Sequence, residues 1–193
     1  MNAPSPPPTP LSPEYRSQLL LVAKESIEHG LQLDRPLRVN SEAYPAALQA
    51  PRASFVTLQR HKELRGCIGH LEACLPLVVD VAENAFAAAF RDPRFPPLTT
   101  RELQDLEIHI SVLTPAVPMS FSSQADLLRQ LRPGIDGLIL EEGHHRGTFL
   151  PSVWESLPEP EQFLAHLKRK AGLSPTHWSS SLKVKRYTTE SFP

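Results

Sequence analysis

Apolar residues recur at helical spacing in the first stretch of the chain that can fold. The positions that share one face of this helix are Tyr15, Leu19, Val22, Ala23 and Ile27. Ser12-Pro13-Glu14 supplies a hydroxyl cap, a proline at the first helical position and an acid in the first turn. We therefore expect a helix that begins after Ser12 and ends at Gly30.

A hairpin is predicted after a loop over residues 31–51. Residues 54–58 are strand-like, and residues 59–63 are polar and turn-prone. The second strand would be Leu64-Arg65-Gly66-Cys67-Ile68-Gly69-His70, which places two glycines where a strand normally carries side chains. Glycine in a strand marks a bulge or the close approach of a ligand or another backbone.

The next segments predict a buried helix and a clear strand. The helix would run from Pro76 to about Phe90 and is apolar nearly all round. The stiff, charged segment of residues 91–98 follows, in which Pro93 favours extended geometry at Asp92. Thr99-Thr100-Arg101-Glu102 fits a capping box, and residues 106–113 alternate apolar and polar side chains as a strand does.

The C-terminal part predicts a helix, a hairpin, two proline-started helices and a last strand. Ser122 or Ser123 would cap a helix to Leu131, and strands 137–140 and 147–150 would flank a turn at residues 143–145. Pro151 and Pro160 would each open a helix. The second of these helices would end at Gly172 and expose residues 168–170. Residues 182–188 would form the last strand. Without regular βαβ units the class is α+β, a mixed or antiparallel sheet flanked by helices.

Composition sets the domain organisation. A chain of 193 residues with 40% hydrophobic content can bury one core, in one or two lobes. Proline contributes 21 residues, and residues 1–12 read as a disordered proline-rich tail before a folded domain over residues 13–193. Removing residues 2–11 is therefore expected to leave the melting temperature unchanged.

Charge and apolar patterning exclude several classes of function. A net charge of −1 and 7% aromatic residues argue against nucleic acid as a partner. No apolar run reaches the roughly 20 residues that span a bilayer, and the N-terminus lacks a signal-peptide pattern. We expect a cytoplasmic protein without membrane association, in which Cys67 and Cys74 are free thiols.

The residues of the hairpin strand have two interpretations. A thiol between two glycines, with the guanidinium of Arg65 one residue before the first glycine, could form the wall of a small pocket. Alternatively, the glycines let the strand kink against a helix and Cys67 is a small buried hydrophobe. Asp92 is also open to two interpretations, a functional carboxylate or a carboxylate that pairs with an arginine to hold the turn.

Several motifs together resemble the AMMECR-one domain family, whose prokaryotic members are called AmmeMemoRadiSam system protein A. The residues that carry the resemblance are Leu64-Arg65-Gly66-Cys67-Ile68-Gly69, Arg91-Asp92-Pro93-Arg94-Phe95-Pro96-Pro97-Leu98, Ile110-Ser111-Val112-Leu113-Thr114-Pro115, Gly137-Leu138, Phe149-Leu150-Pro151 and Lys170-Ala171-Gly172-Leu173. They follow in order over roughly residues 14–190. The resemblance implies an α+β fold of two unequal subdomains and a functional site at the cysteine signature. It also implies association with a Memo-like protein and a radical S-adenosylmethionine protein, but no established reaction and no cofactor.

Two positions depart from the family pattern. His70 stands where the signature usually has Thr or Ser, and His109 stands where Glu is usual. Any role that needs a hydroxyl or a carboxylate there is in doubt. Convergence of Cys67, His70 and His109 would give a metal-ligand pattern, but residues three apart on a strand point to opposite faces. We therefore expect no metal, and expect the imidazoles to pair with each other or with a carboxylate.

Two functions fit these residues. The first is an enzyme, or the substrate-handling component of one, that acts on a small anionic molecule. Cys67 would be its nucleophile or thiol acid/base, while Arg65 and Arg91 would hold the anion. Gly66, Gly69, His70, Asp92 and His109 would complete the binding site. The second function is a non-catalytic adaptor or ligand-binding module that docks on the Memo-like or radical partner.

Overall fold

The computed structural model describes residues 10–193 and divides them into two compact units. The first unit runs to Thr114 and takes in Glu190–Pro193, and the second is Pro115–Thr189. Helices and two antiparallel sheets confirm the α+β class. Most of the expected proline-rich tail, residues 1–9, lies outside the described residues.

The helices and strands follow one another along the chain without a repeating unit. In chain order they are α1 (Pro13–Leu33), α2 (Ala46–Gln49), β1 (Ser54–Arg60), β2 (Glu63–Gly69), α3 (Leu77–Phe90), β3 (Leu106–Leu113), β4 (Val117–Pro118), α4 (Gln124–Gln130), β5 (Gly137–Glu142), β6 (His145–Phe149), α5 (Pro160–Lys170), β7 (Lys183–Tyr187) and β8 (Thr189–Phe192). Short 3-10 helices cover Ser41–Ala43, Thr100–Asp105 and Pro151–Glu155.

The sheet of the first unit has the strand order β2-β1-β3-β8. β1 pairs antiparallel with β2 on one side and with β3 on the other, which confirms the predicted hairpin. The hairpin turns at His61 and Lys62, whose φ angles of 51° and 67° are positive, as the favoured two-residue hairpin turns require. One face of the sheet packs its apolar residues, among them Val56 and Ile110, into the same core as α1 and α3.

The first helix is longer than the sequence predicted. Ser12 caps it as expected, but it continues past Gly30 to Leu33 and ends at Asp34, which adopts the left-handed conformation with φ 50°. Gly30 is a packing position, because a Cβ there would overlap the ring of Phe90. The expected helix stop at Gly30 is therefore wrong.

The predicted tail boundary is also wrong in its last residues. Leu11 is buried, and its N–H donates to both carboxylate oxygens of Glu190, at 3.0 and 3.1 Å. Arg16 pairs with the same carboxylate at 2.9 Å. The start and the end of the described chain are thus bound to each other within the first unit.

A short strand was missed at the C-terminus. β7 confirms the strand predicted near residues 182–188, but the chain then continues as β8, which joins the other sheet. Phe192 of β8 is buried in the core of the first unit.

The second unit has the strand order β4-β7-β5-β6 and a core that includes Trp154 stacked on Phe163, with ring centroids 3.8 Å apart. Lys168, expected to be exposed, is fully buried. Its Nζ donates to Gln124 Oε1 at 2.7 Å and lies 5.6 Å from the centre of the Trp178 ring. The structure places Lys168 on the packed side of α5, while Arg169 and Lys170 are exposed.

No described helix combines the length and the apolar character that crossing a membrane requires.

Candidate functional site

Three polar side chains form a row across the first sheet, on the face opposite the one packed into the core. Cys67 on β2 is the register partner of Thr57 on β1, and Thr57 is in turn the register partner of His109 on β3. We call Cys67, Thr57 and His109 the sheet row. All three side chains are half-buried. The strand period of two places them on one face, since the neighbouring residues of the same strands point into the core.

The two ends of the sheet row differ in how their polar atoms are satisfied. Cys67 Sγ lies 3.2 Å from Thr57 Oγ1, a hydrogen-bonding distance when sulfur takes part. His109 Nε2 is buried and has no hydrogen-bond partner among residues 10–193. The carboxylate of Glu107 lies 3.9 Å from this nitrogen, too far for a hydrogen bond. Because strands lie about 4.8 Å apart, Cys67 and His109 are separated by about 10 Å and do not touch directly.

Both glycines of the signature are required by close packing. A Cβ on Gly66 would overlap the carbonyl oxygen of Ala88, so α3 approaches the strand closely only because residue 66 has no side chain. A Cβ on Gly69 would overlap the ring of Phe55 and the carbonyl oxygen of Ser54. The interpretation that the glycines admit a helix is therefore correct for Gly66.

The second motif binds the edge of the first. The N–H of Cys67 donates to Asp92 Oδ2 at 2.9 Å, and Arg94 donates from Nη2 to the same oxygen at 2.7 Å and from Nε to Oδ1 at 2.9 Å. Asp92 is 4% exposed. Its pKa is well below the usual range, first because Arg94 donates to it. Asp92 therefore pairs with an arginine, as one of the two interpretations of this residue expected, and satisfies an edge-strand N–H as well.

Arg94 is the cation that the structure brings to Cys67. Nη2 of Arg94 lies 3.4 Å from the carbonyl oxygen of Cys67, and the Arg94 side chain is 54% exposed. The hydrogen bonds that Arg94 donates to Asp92 are the main reason that the pKa of Arg94 is raised. Arg94 belongs to the second motif but was not predicted as a site residue.

The two arginines that were expected to hold an anion are engaged elsewhere. Arg65 is buried and binds Glu102 at 2.7 Å and the carbonyl oxygen of Pro96 at 2.9 Å. This contact with Arg65 is the main reason that the pKa of Glu102 falls to about 2. Arg91 pairs with the exposed Asp34 at 3.1 Å. The structure therefore pairs both arginines with carboxylates and does not bring them together at Cys67.

His70 is directed to a different partner from Cys67. Its Nδ1 lies 2.8 Å from Oδ1 of the buried Asp80, so the expected pairing of an imidazole with a carboxylate is confirmed for His70. Asp80 Oδ2 also accepts from the N–H and the hydroxyl of Ser54 and from Asn84. Cys67, His70 and His109 do not converge, and residues 10–193 hold no group of three metal-ligating side chains.

The two cysteines differ in exposure. Cys74 is exposed, whereas Cys67 is half-buried, and both are free thiols. Cys74 lies in the loop just before α3, near the start of the buried helix.

Thr57 and Glu102 are two further residues of this region that the sequence did not predict. The capping box predicted at residues 99–102 is present, and Glu102 Oε2 accepts from the N–H of Thr99 at 2.8 Å. Its second role as the partner of Arg65 has no local sequence signal. Thr57 could have been found from hairpin register, since it lies across from Cys67 once the turn is placed at residues 61 and 62.

The chemistry available on the sheet row is that of a thiol, a hydroxyl and an imidazole, with a guanidinium at the strand edge. The hydroxyl of Thr57 can exchange a hydrogen bond with Cys67, and a ligand atom that reaches His109 Nε2 would fill an unsatisfied buried position. These groups can bind a small polar molecule that carries negative charge.

Comparison with known proteins gives a consistent result. A family model described as AMMECR1 matches residues 20–192. A protein of Methanothermobacter thermautotrophicus is 38% identical over 189 residues, which cover 95% of this chain and 96% of that protein. A protein of Methanocaldococcus jannaschii is 39% identical over 159 residues, which cover 78% of this chain and 77% of that protein. The crystal structure of an uncharacterized protein from Pyrococcus horikoshii superposes with a TM-score of 0.86 at 34% sequence identity, covering 94% of this chain and 92% of that one.

Proposed function

This chain belongs to the AMMECR1 family, and we propose that it binds a small anionic molecule at the sheet row, as an enzyme or as the substrate-handling component of one. The observation that carries the proposal is the buried Nε2 of His109, which makes no hydrogen bond within residues 10–193 and lies on the same sheet face as the thiol of Cys67. An unsatisfied buried polar atom costs about 1–3 kcal/mol, so a ligand that bonds to it gains that free energy.

In this proposal Cys67 is the reactive thiol and Arg94 supplies the positive charge. Arg94 replaces Arg65 and Arg91 in the anion-binding role, because its guanidinium lies beside Cys67 and more than half of its side chain is exposed. Thr57 holds the sulfur in position, and His109 binds the far end of the ligand. Gly66, Gly69 and Asp92 shape and hold the strand rather than touch the ligand.

A non-catalytic adaptor or ligand-binding module is the second candidate. It is favoured by the pairing of every arginine in the two motifs: Arg65 with Glu102, Arg91 with Asp34 and Arg94 with Asp92. Arginines that are paired with carboxylates can stabilise a binding surface. Because their charge is already neutralised, they contribute less to a reaction in which charge develops on the ligand. In both candidates the partners are a Memo-like protein and a radical S-adenosylmethionine protein, and the protein acts in the cytoplasm.

The first test measures the reactivity of Cys67 alone, in a Cys74→Ser background that removes the exposed thiol. Iodoacetamide labelling followed by mass spectrometry should be slower in Arg94→Gln than in the parent, because a neighbouring guanidinium favours the thiolate that reacts. The matched control is Arg91→Gln, which removes an arginine that pairs with Asp34. Equal labelling rates in all three proteins would contradict the reactive-thiol proposal.

The second test identifies the ligand. Small molecules from a cell extract that remain bound to the pure protein after gel filtration are released and identified by mass spectrometry. We expect an anionic molecule that is retained by the parent and lost in His109→Phe and in Cys67→Ser. Retention of the ligand by Cys67→Ser with loss in His109→Phe would favour the non-catalytic binding module.

A further inference from the structure

A separate, positively charged pocket lies entirely within the second unit. The β5–β6 hairpin and the start of β7 enclose a volume of about 420 Å³. Gly143 forms part of the turn with φ 57°, and a Cβ there would have no atom within 4 Å, so the pocket is open at the hairpin tip. The charged and polar side chains that line it are Glu141, His144, His145, Arg146, Ser181 and Lys183.

Strand register concentrates cations around one carboxylate in this pocket. Glu141 on β5 lies opposite Arg146 on β6 and opposite Lys183 on β7. Arg146 Nε is 3.3 Å from Glu141 Oε1, and Lys185 Nζ is 3.3 Å from Glu141 Oε2. Arg146 and Lys183 therefore line the pocket together with Glu141, and Lys185 pairs with the same carboxylate from outside the lining. When Glu142, which accepts from Ser181 in the opposite wall, is counted as well, these three cations leave an excess of one positive charge, which attracts an anion.

Lys183 is the cation with capacity to bind a ligand. Its side chain is exposed and makes no hydrogen bond or ion pair with any other residue that the structure describes. An ammonium with three unused donors at the rim of a pocket can bind anionic oxygens without first losing another partner.

The opposite wall of the pocket is held in place by bonds to neighbouring groups. His145 Nδ1 lies 3.1 Å from the carbonyl oxygen of Ala171, which can only accept, so this nitrogen carries the proton and the ring orientation is fixed. Ser181 donates to Glu142 Oε1 at 2.6 Å. Hydrogen bonds from Ser179 and then from Ser181 lower the pKa of Glu142. The wall is therefore preorganised, and binding a ligand would order few additional groups.

We propose that this pocket binds the phosphate group of a small phosphorylated molecule. A phosphate monoester carries about −1.5 to −2 charges at neutral pH and three strong acceptor oxygens, which suit the unused donors of Lys183 at the rim of the pocket. The volume of about 420 Å³ is within the range of small-molecule sites and leaves room for the part of the molecule attached to the phosphate. Glu141 at the centre of the cations disfavours an extended polyanion. The site shares no residue with the sheet row, so its test is independent of the function proposed there.

The test titrates the full-length, ¹⁵N-labelled protein with glycerol phosphate, with inorganic phosphate and with glycerol. Glycerol phosphate should shift the backbone amide signals of Gly143, His145 and Lys183 saturably, with a Kd on the order of 1 mM, since the contact is small. Inorganic phosphate should bind more weakly and glycerol should cause no shift. Equal affinity for inorganic and glycerol phosphate would overturn the assignment to a phosphorylated molecule, and no saturable shift would overturn the site.

Three variants decide whether these side chains form the site. Lys183→Gln should raise the Kd about tenfold, the effect of losing one charged hydrogen bond. Glu141→Gln should lower the Kd, because it removes the carboxylate that competes for Arg146 and Lys185. Lys24→Gln on α1 makes the same charge change outside the pocket and should leave the Kd unchanged. If Lys183→Gln and Lys24→Gln raised the Kd for glycerol phosphate equally, the ligand would be attracted only by the net charge of the protein, and the proposal would be overturned.

Discussion

The backbone N–H of Cys67 donates to Asp92 Oδ2 across 2.9 Å, and this bond joins two motifs that lie 25 residues apart in the chain. β2 is an edge strand, so an acceptor for this N–H must come from outside the sheet. The segment after α3 provides it, and Arg94 holds the carboxylate in place from the other side. The motifs therefore occur together because one completes the hydrogen bonding of the other.

We predict that Asp92→Asn lowers the free energy of unfolding by about 2 kcal/mol, because it weakens the charged hydrogen bonds to Arg94 and to the N–H of Cys67. The pKa of Asp92 is lowered in the folded protein, so this stabilisation is complete above the pKa of about 3.9 in the unfolded chain and disappears as the pH falls through the folded value. Urea unfolding near pH 7 and near pH 3 checks this, and the difference between the two proteins should shrink at the lower pH.

Asp34→Asn is the matched control, because it neutralises an aspartate that also pairs with an arginine. The Asp34 side chain is 78% exposed. Its loss should cost less than about 0.5 kcal/mol, as for other surface ion pairs, and asparagine tolerates the left-handed conformation at this position. A similar cost for both substitutions would show that the bond to Cys67 has no special importance.

Gly66→Ala should destabilise the protein by about 3 kcal/mol, because its Cβ would overlap the carbonyl oxygen of Ala88 and backbone must shift to relieve the overlap. Thermal unfolding monitored by circular dichroism measures the effect. Gly143→Ala serves as the control: it places a Cβ in open space at a positive φ and should cost only about 1 kcal/mol. A melting temperature for Gly66→Ala equal to that of the parent would contradict the role of close helix packing.

Local patterns in the sequence predicted most elements of the fold. The cap at Ser12, the capping box at Thr99 and the hairpin around residues 61 and 62 depend on neighbouring residues, and all three are present. Gly30 shows where this reasoning fails. A glycine late in a helical pattern usually ends the helix, but here it allows two rings of α3 to pack, and those rings are more than 50 residues away.

Candidate site residues were harder to place, because their partners are distant in sequence. Arg65 and Arg91 have the chemistry to bind an anion, but Glu102 and Asp34 neutralise them, and no local pattern identifies these partners. Cys67 and His109 were both chosen, yet the residue between them, Thr57, follows only from the register of three strands. The chemistry of a residue thus identifies it as a candidate for a site, whereas its partners from distant parts of the chain determine whether it can still bind a ligand.

The buried start of the first unit gives a third prediction. Leu11→Ala should lower the free energy of unfolding by about 2 kcal/mol, because the Leu11 side chain is 5% exposed in the core. Leu21→Ala removes the same atoms from a side chain that is 55% exposed and should change stability by less than about 0.5 kcal/mol. Chemical denaturation of both variants provides the comparison, and equal effects would mean that Leu11 contributes no more than a surface residue. The burial of Leu11 removes the premise that residues 2–11 can be deleted without cost.

The buried ammonium of Lys168 makes the last prediction depend on pH. Burial lowers the pKa of Lys168, and its near contacts are the amide oxygen of Gln124 and the face of Trp178, with no carboxylate among its hydrogen bonds and ion pairs within residues 10–193. The unfolded chain keeps this proton up to about pH 10.4, so between the folded and unfolded pKa values the unfolded state binds more protons and stability rises with pH.

Lys168→Met keeps the length and apolar packing of the side chain and removes the charge. We expect Lys168→Met to be at least as stable as the parent near pH 7. Between pH 7 and pH 10 the parent should gain stability as Lys168 loses its proton, whereas Lys168→Met should not show this gain. Urea unfolding at both pH values measures the difference. Arg169→Met, which changes an exposed cation in the same helix, should follow the parent at both pH values. A loss of more than about 2 kcal/mol in Lys168→Met near pH 7 would mean that the contacts with Gln124 and Trp178 outweigh the cost of burying the charge.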